Sequence, residues 1–233
     1  CLLSRGLGDV YKRQGLDQLL AQDRATAERF IQLGAAPSVT QVVGSIKFDI
    51  HAPESAVKQA AQLNHEWSLA GRKIITIAST HAPEEQKLLS AFKPYLDTQP
   101  ELLCIVVPRH PERFDEVFAV AQSLNLNTTR RSTGQSIEAE TQVYLADSMG
   151  EMWLWYALSN ACFVGGSLNE PGGGHNILEP IALHVPTVLG KNYFNFQTIV
   201  DEFVQADAVK VVEDAEPAAA VLMTLLELSL IHI

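Results

Sequence analysis

Five short stretches of this sequence combine residue types suited to a charged, hydroxyl-rich ligand, and each follows an apolar run. They are Ser79-Thr80-His81, Pro108-Arg109-His110, Asp147-Ser148-Met149-Gly150-Glu151, Gly165-Gly166-Ser167 and Gly190-Lys191-Asn192. A sixth, Gly172-Gly173-Gly174-His175-Asn176, opens a helical pattern over Asn176–Leu183. Glycines let a backbone approach a phosphate closely, and free N–H groups at a helix start favour an anion. Three glycines alone also fit a flexible connecting loop. Arg109 follows the apolar run Leu102–Val107, which lets its guanidinium grip a phosphate or base through two parallel bonds. Arg113 reads instead as a helix-surface partner of Glu112 or Asp115. Glu179 lies in the first turn after Asn176, where a carboxylate either takes two ribose hydroxyls or caps its own helix. Asp147 or Ser148 reads as the cap of a helix over Met149–Ser159, with main-chain amides also available to a ligand.

Other chemistries are not written here. There is no GxSxG elbow, no GxGxxG fingerprint and no HExxH, and Ser79 and His81 are too close in sequence to suggest a triad. His81, His110, His175 and His184 fall at different strand ends without metal-ligand spacing, so no metal and no cofactor is expected. Three cysteines make no disulfide framework and no CxxC pair. Lys+Arg 17 against Asp+Glu 27 leaves a net charge of −10, which argues against nucleic acid, whose phosphates need clustered cations. No apolar run is long enough to span a bilayer.

The elements that must position these residues alternate. Leu16–Leu33 has helical apolar spacing stopped by Gly34, Val39–Val43 reads as a strand, and Ala56–Trp67 as a helix. Then come strands at Ile74–Ala78, Leu102–Val107, Asn127–Arg131, Gln142–Leu145, Ala161–Val164, Thr187–Leu189 and Val209–Val212. Helices are expected at Glu84–Leu96, Pro111–Leu124, Met149–Ser159, Asn176–Leu183, Asn195–Gln205 and Pro217–Glu227. Met152, Trp153, Trp155 and Tyr156 read as a packing stripe. Continuous apolar, β-branched strands between helices define an α/β fold, a Rossmann-like parallel sheet covered on both faces. Ligands of such sheets sit beyond the carboxyl ends of the strands, where the polar stretches fall.

The two ends share one DNA word. Asp9-Val10-Tyr11-Lys12-Arg13-Gln14 back-translates to GATGTGTATAAGAGACAG, and the reverse complement of that word encodes Leu228-Ser229-Leu230-Ile231-His232-Ile233. It resembles a transposon-end sequencing adapter, so residues 1–14 and 228–233 are read as translated adapter and kept out of the fold argument. Setting aside Arg5, Lys12, Arg13 and Asp9 makes the balance more acidic still, and setting aside Cys1 leaves two cysteines and a reduced, cytoplasmic reading. The remaining stretch, 15–227, is then expected to be part of a longer protein.

Gly44-Ser45-Ile46-Lys47-Phe48-Asp49, Ser79-Thr80-His81, Val107–Phe114, Asp147–Glu151, Phe163–Leu168 and Gly173–Pro180 also occur in a joint order and spacing. In these the chain resembles the 3-deoxy-D-manno-octulosonic acid (Kdo) transferases, over almost all of 15–227. The resemblance implies a GT-B glycosyltransferase: residues 15–49 ending an N-terminal acceptor domain, 50–71 a linker with a helix, and 72–227 the C-terminal CMP-Kdo-binding domain. It implies transfer of Kdo from CMP-Kdo to the lipid A precursor lipid IVA, at the cytoplasmic face of the bacterial inner membrane, with the membrane anchor and the glutamate base upstream. No catalytic residue is therefore assigned in this chain. It implies donor contacts from Pro108, Arg109, Met149, Gly150, Glu151, Asn176, Ile177, Leu178 and Glu179, with Lys47, Ser79, Thr80 and His175 near the cleft. The loop Asn169–Gly174 is one residue longer than the family pattern. The competing readings are another GT-B sugar-nucleotide enzyme (a UDP-sugar transferase or an epimerase) and a nucleotide-binding module without catalysis.

Overall fold

The computed structural model describes residues 17–22, 24–44 and 50–231, with side chains through Glu227. The chain divides into two units between Ile50 and His51. Lys47 and the rest of its motif after Gly44, residues 45–49, lie outside the described residues.

In the first unit, β1 (Leu19–Ala21) pairs in parallel with β2 (Thr40–Val42), and α1 (Arg24–Gln32) joins them. Leu19, Ala21, Ala27 and Ala35 form its small core with Phe30. The expected helix over Leu16–Leu33 is thus half wrong. Leu19 and Ala21 are buried and Leu20 exposed, the two-residue period of a strand, which so short an apolar run does not distinguish from a helical turn. The expected stop holds. Gly34 has φ +98°, its N–H bonds Ile31 O, and Ala35 N–H bonds Phe30 O, the Schellman pattern that a glycine permits.

The second unit is a seven-stranded parallel sheet. Its strands are β3 (Lys73–Thr80), β4 (Leu102–Pro108), β5 (Thr128–Arg130), β6 (Val143–Leu145), β7 (Ala161–Val164), β8 (Thr187–Gly190) and β9 (Val209–Val212). They lie in the order β5-β6-β4-β3-β7-β8-β9, every neighbouring pair parallel. The Rossmann-like expectation is met. Ile75, Ile77, Cys104, Val106 and Phe163 are wholly buried, as strands covered on both faces require. One face is closed by α3 (Glu84–Leu96), α4 (Phe114–Ser123) and α8 (Ala215–Ile231), which bring Leu88, Phe92, Val117 and Leu222 into the largest core cluster. The other is closed by α2 (Glu54–Glu66), α5 (Met152–Leu158), α6 (Leu178–Ala182) and α7 (Gln197–Gln205). Ala60 and Leu63 of α2 pack with Trp155 and Leu158, so the helix of the stretch read as a linker belongs to the sheet unit. Each fully buried Ile or Phe contributes about 1.5–3 kcal/mol. Cys104 and Cys162 are buried free thiols, pushed up to about 12 by burial and therefore unreactive. Among the described residues no helix is long and apolar enough to cross a membrane.

Strand order reverses between β3 and β7. From β3 the chain crosses to β4 on one side, and β7 starts the run to β8 and β9 on the other. A crevice opens at the carboxyl ends of the strands at such a switch point.

Candidate functional site

Beyond the carboxyl ends of β3, β4 and β6 lies a cavity of about 310 Å³. Ser79, Pro108, Arg109, Met149, Gly150, Met152, Tyr156, His175, Asn176 and Glu179 line it. Eight of these were singled out from sequence. Met152 and Tyr156 were read as packing, yet they stand four residues apart on the face of α5 that meets the cavity, a spacing that puts both on one side of a helix. Two roomier hollows lie elsewhere, but their cations are already engaged. In one, of about 550 Å³, Arg72 donates to the carbonyls of Glu101, Leu102, Glu138, Ala139 and Thr141. In the other, of about 390 Å³, Lys87 faces Asp214 and Lys191 pairs with Glu213.

Each wall has a local cause. The β3–β4 register slips between Ala78 and Thr80, and Ser79 sits in the slip with φ +53°. Such a bulge re-aims a side chain, and Ser79 faces the cavity while Thr80 turns inward, fully buried and away from the lining. Arg109 is anchored by its N–H on Thr80 O at 3.1 Å. Its side chain is exposed and carries no ion pair among the described residues. Arg113 is the opposite case. It grips buried Glu85 with two bonds, 2.7 and 3.1 Å, and Glu116 with two more, rather than Glu112 or Asp115.

The loop after β6 is not the helix start expected. Gly150 has φ +80°, and α5 begins only at Met152. Asp147 caps nothing; it accepts bonds from Ser132 N–H, Ser132 Oγ and Arg130 Nε. Burial acts to raise its pKa, but those bonds outweigh it and hold Asp147 below the usual range. Glu151 points from the cavity toward Arg131 and Ser148, whose bonds likewise overcome burial and lower its pKa.

The glycine run also differs. Gly173 N–H bonds Asn192 O and Gly174 N–H bonds Gly166 O, so neither is free for a phosphate. The following helix, α6, has five residues rather than spanning Asn176–Leu183. Asn176 precedes it and accepts from Leu178 N–H at 3.1 Å. Ile177 and Leu178 are buried in the core, not on the cavity wall. Glu179 does reach the cavity; burial raises its pKa and a hydrogen bond from Asn176 partly offsets that. Burial also raises Tyr156, with Cys162 and Glu179 adding to it.

Two features went unseen in the sequence. His81, His110 and His175, expected at separate strand ends, come together: His81 lies 5.0 Å from each of the other two, ring centre to ring centre. Among the described residues no group of three or more His, Cys, Asp or Glu is placed to hold a metal ion. Beneath them Glu84, wholly buried, accepts four backbone N–H groups, from His81, Gly166, Ser167 and Leu168, at 2.7–3.0 Å. In sequence Glu84 looks like an ordinary acidic residue in a helix's first turn. The signal was across the chain, in the Gly165-Gly166-Ser167 turn whose amides need an acceptor.

A parallel sheet with its cavity at the switch point is the Rossmann-like architecture of the C-terminal domain of GT-B glycosyltransferases. No protein-family model matches the chain. The 3-deoxy-D-manno-octulosonic acid transferase of Haemophilus influenzae is 38% identical over 191 residues, 82% of this chain and 44% of that protein. The enzyme of the same name from Bordetella pertussis is 35% identical over 209 residues, 88% of this chain and 47% of that protein. The crystal structure of the C-terminal CMP-Kdo binding domain of WaaA from Acinetobacter baumannii is 64% identical, with a TM-score of 0.74, over 75% of this chain and 91% of that domain. The chain belongs to the Kdo transferase family and corresponds to its C-terminal part. It spans about half the length of the curated relatives it matches.

Proposed function

We propose that this chain is the donor-binding part of a glycosyltransferase that moves Kdo from CMP-Kdo to lipid IVA at the cytoplasmic face of the inner membrane. The observation that carries this reading is the cavity pairing Arg109, a guanidinium with no ion pair among the described residues, with a half-buried carboxyl, Glu179. Arg109 supplies the charge that a CMP phosphate needs. Glu179 offers paired acceptors for ribose hydroxyls. Pro108, Met149, Gly150 and Asn176 shape the space between them, and Ser79 and His175 stand at its edge. As the bond to Kdo breaks, negative charge grows on the departing phosphate and positive charge on the sugar, and fixed cations at the phosphate lower that barrier. An acceptor hydroxyl then attacks, giving up its proton to a base. The reading assigns donor binding to this chain and assigns the acceptor base to none of its residues.

Calorimetric titration tests it. CMP binds in preference to UMP and AMP, and Arg109→Ala and Glu179→Ala each weaken it about tenfold or more. A folded protein with equal affinity for UMP transfers support to a UDP-sugar enzyme, and one that binds no nucleotide overturns the reading. We also read residues 1–14 and 228–233 as translated adapter, on their reverse-complement relation; sequencing the source DNA without library adapters tests that.

A further inference from the structure

The loop that brings Met149 and Gly150 to the cavity is held at both ends by consecutive arginines. Arg130, last residue of edge strand β5, bonds Asp147 with Nε at 2.8 Å and Asp115 with Nη1 at 2.7 Å. Arg131 bonds the other end: its Nε and Nη2 meet the two oxygens of Glu151 at 3.2 and 2.8 Å. The guanidinium also lies against two indoles, 5.5 Å from the ring centre of Trp155 and 6.0 Å from that of Trp67. Tyr144 sits between those indoles, 5.6 and 5.3 Å from them. A planar cation with aromatic faces beside it and a carboxylate at its fork is held in one orientation. Glu151 in turn bonds Ser148, closing the turn around left-handed Gly150.

We propose that Arg131 is a positioning residue for the donor site: through Glu151 it fixes Met149 and Gly150 against the bound nucleotide. Arg131 itself does not line the cavity. This inference rests on the donor-site reading above. Arg130 anchors the start of the same loop, but it also serves Asp115, so its removal does not isolate the loop.

The test uses the whole chain, with CMP as the probe and amide hydrogen exchange as a second readout. Arg131→Gln weakens CMP about tenfold or more, since charge-assisted bonds are lost. It also speeds exchange over residues 148–152 while residues 103–107 keep theirs. Arg131→Lys, which keeps the charge but not the fork, recovers part of the affinity. In a Glu151→Gln background the further change to Gln at 131 costs no more than about twofold, because the two residues act as one unit. Unchanged CMP affinity in folded Arg131→Gln, losses that add in the double variant, or unchanged exchange at 148–152 would overturn the proposal. If the unmodified chain binds no CMP, the donor reading fails by itself. Exchange then decides the clamp: acceleration in Arg131→Gln upholds it and no acceleration sinks it. If Arg131→Gln does not fold, Arg131→Lys supplies both readouts.

Discussion

The Nε2 atoms of His81 and His175 face each other at 2.8 Å, at the switch point of the sheet. A contact between two ring nitrogens needs one to donate and the other to accept, so at least one imidazole must be neutral. His175 is pushed down to about 4, first by burial and then by His81, Arg109 and His110. Burial also lowers His81, against the opposing pull of Glu84.

Acid therefore begins to lower stability before most carboxylates titrate. An unfolded histidine titrates near 6.5, so as pH falls from there toward 4 the unfolded chain binds protons that native His175 refuses. The stability from this group is complete above 6.5 and lost on the way down to about 4. Glu179 works oppositely: its raised pKa stabilises at low pH, and that contribution fades as pH rises through it. Urea unfolding at a series of pH values should show a decline over this window that becomes shallower in His175→Gln. Parallel profiles for the two proteins would remove the histidine pair as its cause.

Glu84→Gln should cost on the order of 3 kcal/mol, because an amide keeps one acceptor oxygen and turns a donor toward amides that were bonded to the other. The carboxylate ties the turn after β3 to the turn after β7 through four N–H groups. Denaturant midpoints measure it. A loss below about 0.5 kcal/mol would mean that water or a local shift replaces those bonds.

Gly190 donates its N–H to Ser167 Oγ at 2.8 Å, and a Cβ on it would meet Ser167 O at 2.3 Å. The obstacle is backbone, which no rotamer change relieves. Gly190→Ala should destabilise by about 1–3 kcal/mol, read as a drop in melting temperature.

Arg72→Ala should separate stability from binding. Its guanidinium holds five carbonyls near the amino ends of β3 and β4, at the far end of the sheet from the cavity. The melting temperature should fall, while the folded protein binds CMP with unchanged affinity. A matching loss of affinity would mean that the two ends of the sheet are coupled.

The strands of the sheet unit were legible because Leu102–Val107 is apolar without interruption and Ile74–Ala78 is apolar or β-branched up to its alanine, each bounded by turn residues. Helix α3 was legible to the residue, since Glu84–Leu96 combines acidic start and apolar period. Short elements were not. Leu19–Ala21 is a strand only because Thr40–Val42 lies beside it, and α5 starts late because Gly150 adopts a left-handed conformation. At the site, Pro108 and Arg109 were visible because they end an apolar run, and Asn176 and Glu179 because they follow the glycine run, and they do share one cavity. Thr80, Glu151, Ile177 and Leu178 came from the same motifs, yet their side chains turn elsewhere. A motif gives the position of a Cα along a loop, and the direction of its side chain depends on a bulge or a partner far along the chain.

By itself, then, the sequence determined a parallel α/β sheet and the strand ends at which its polar stretches gather, both carried by local pattern, and its motifs taken jointly carried the resemblance to the Kdo transferases. Only the tertiary structure decided which charges are available. Arg113, Arg130 and Arg131 meet carboxylates from other elements, and Arg109 meets none among the described residues. Glu84 and Glu85 look like solvated neighbours, but one is wrapped by four amides and the other by Arg113. Ion pairing and burial depend on distances between residues far apart in the chain, and those distances are set when the sheet brings β3, β6 and β7 together.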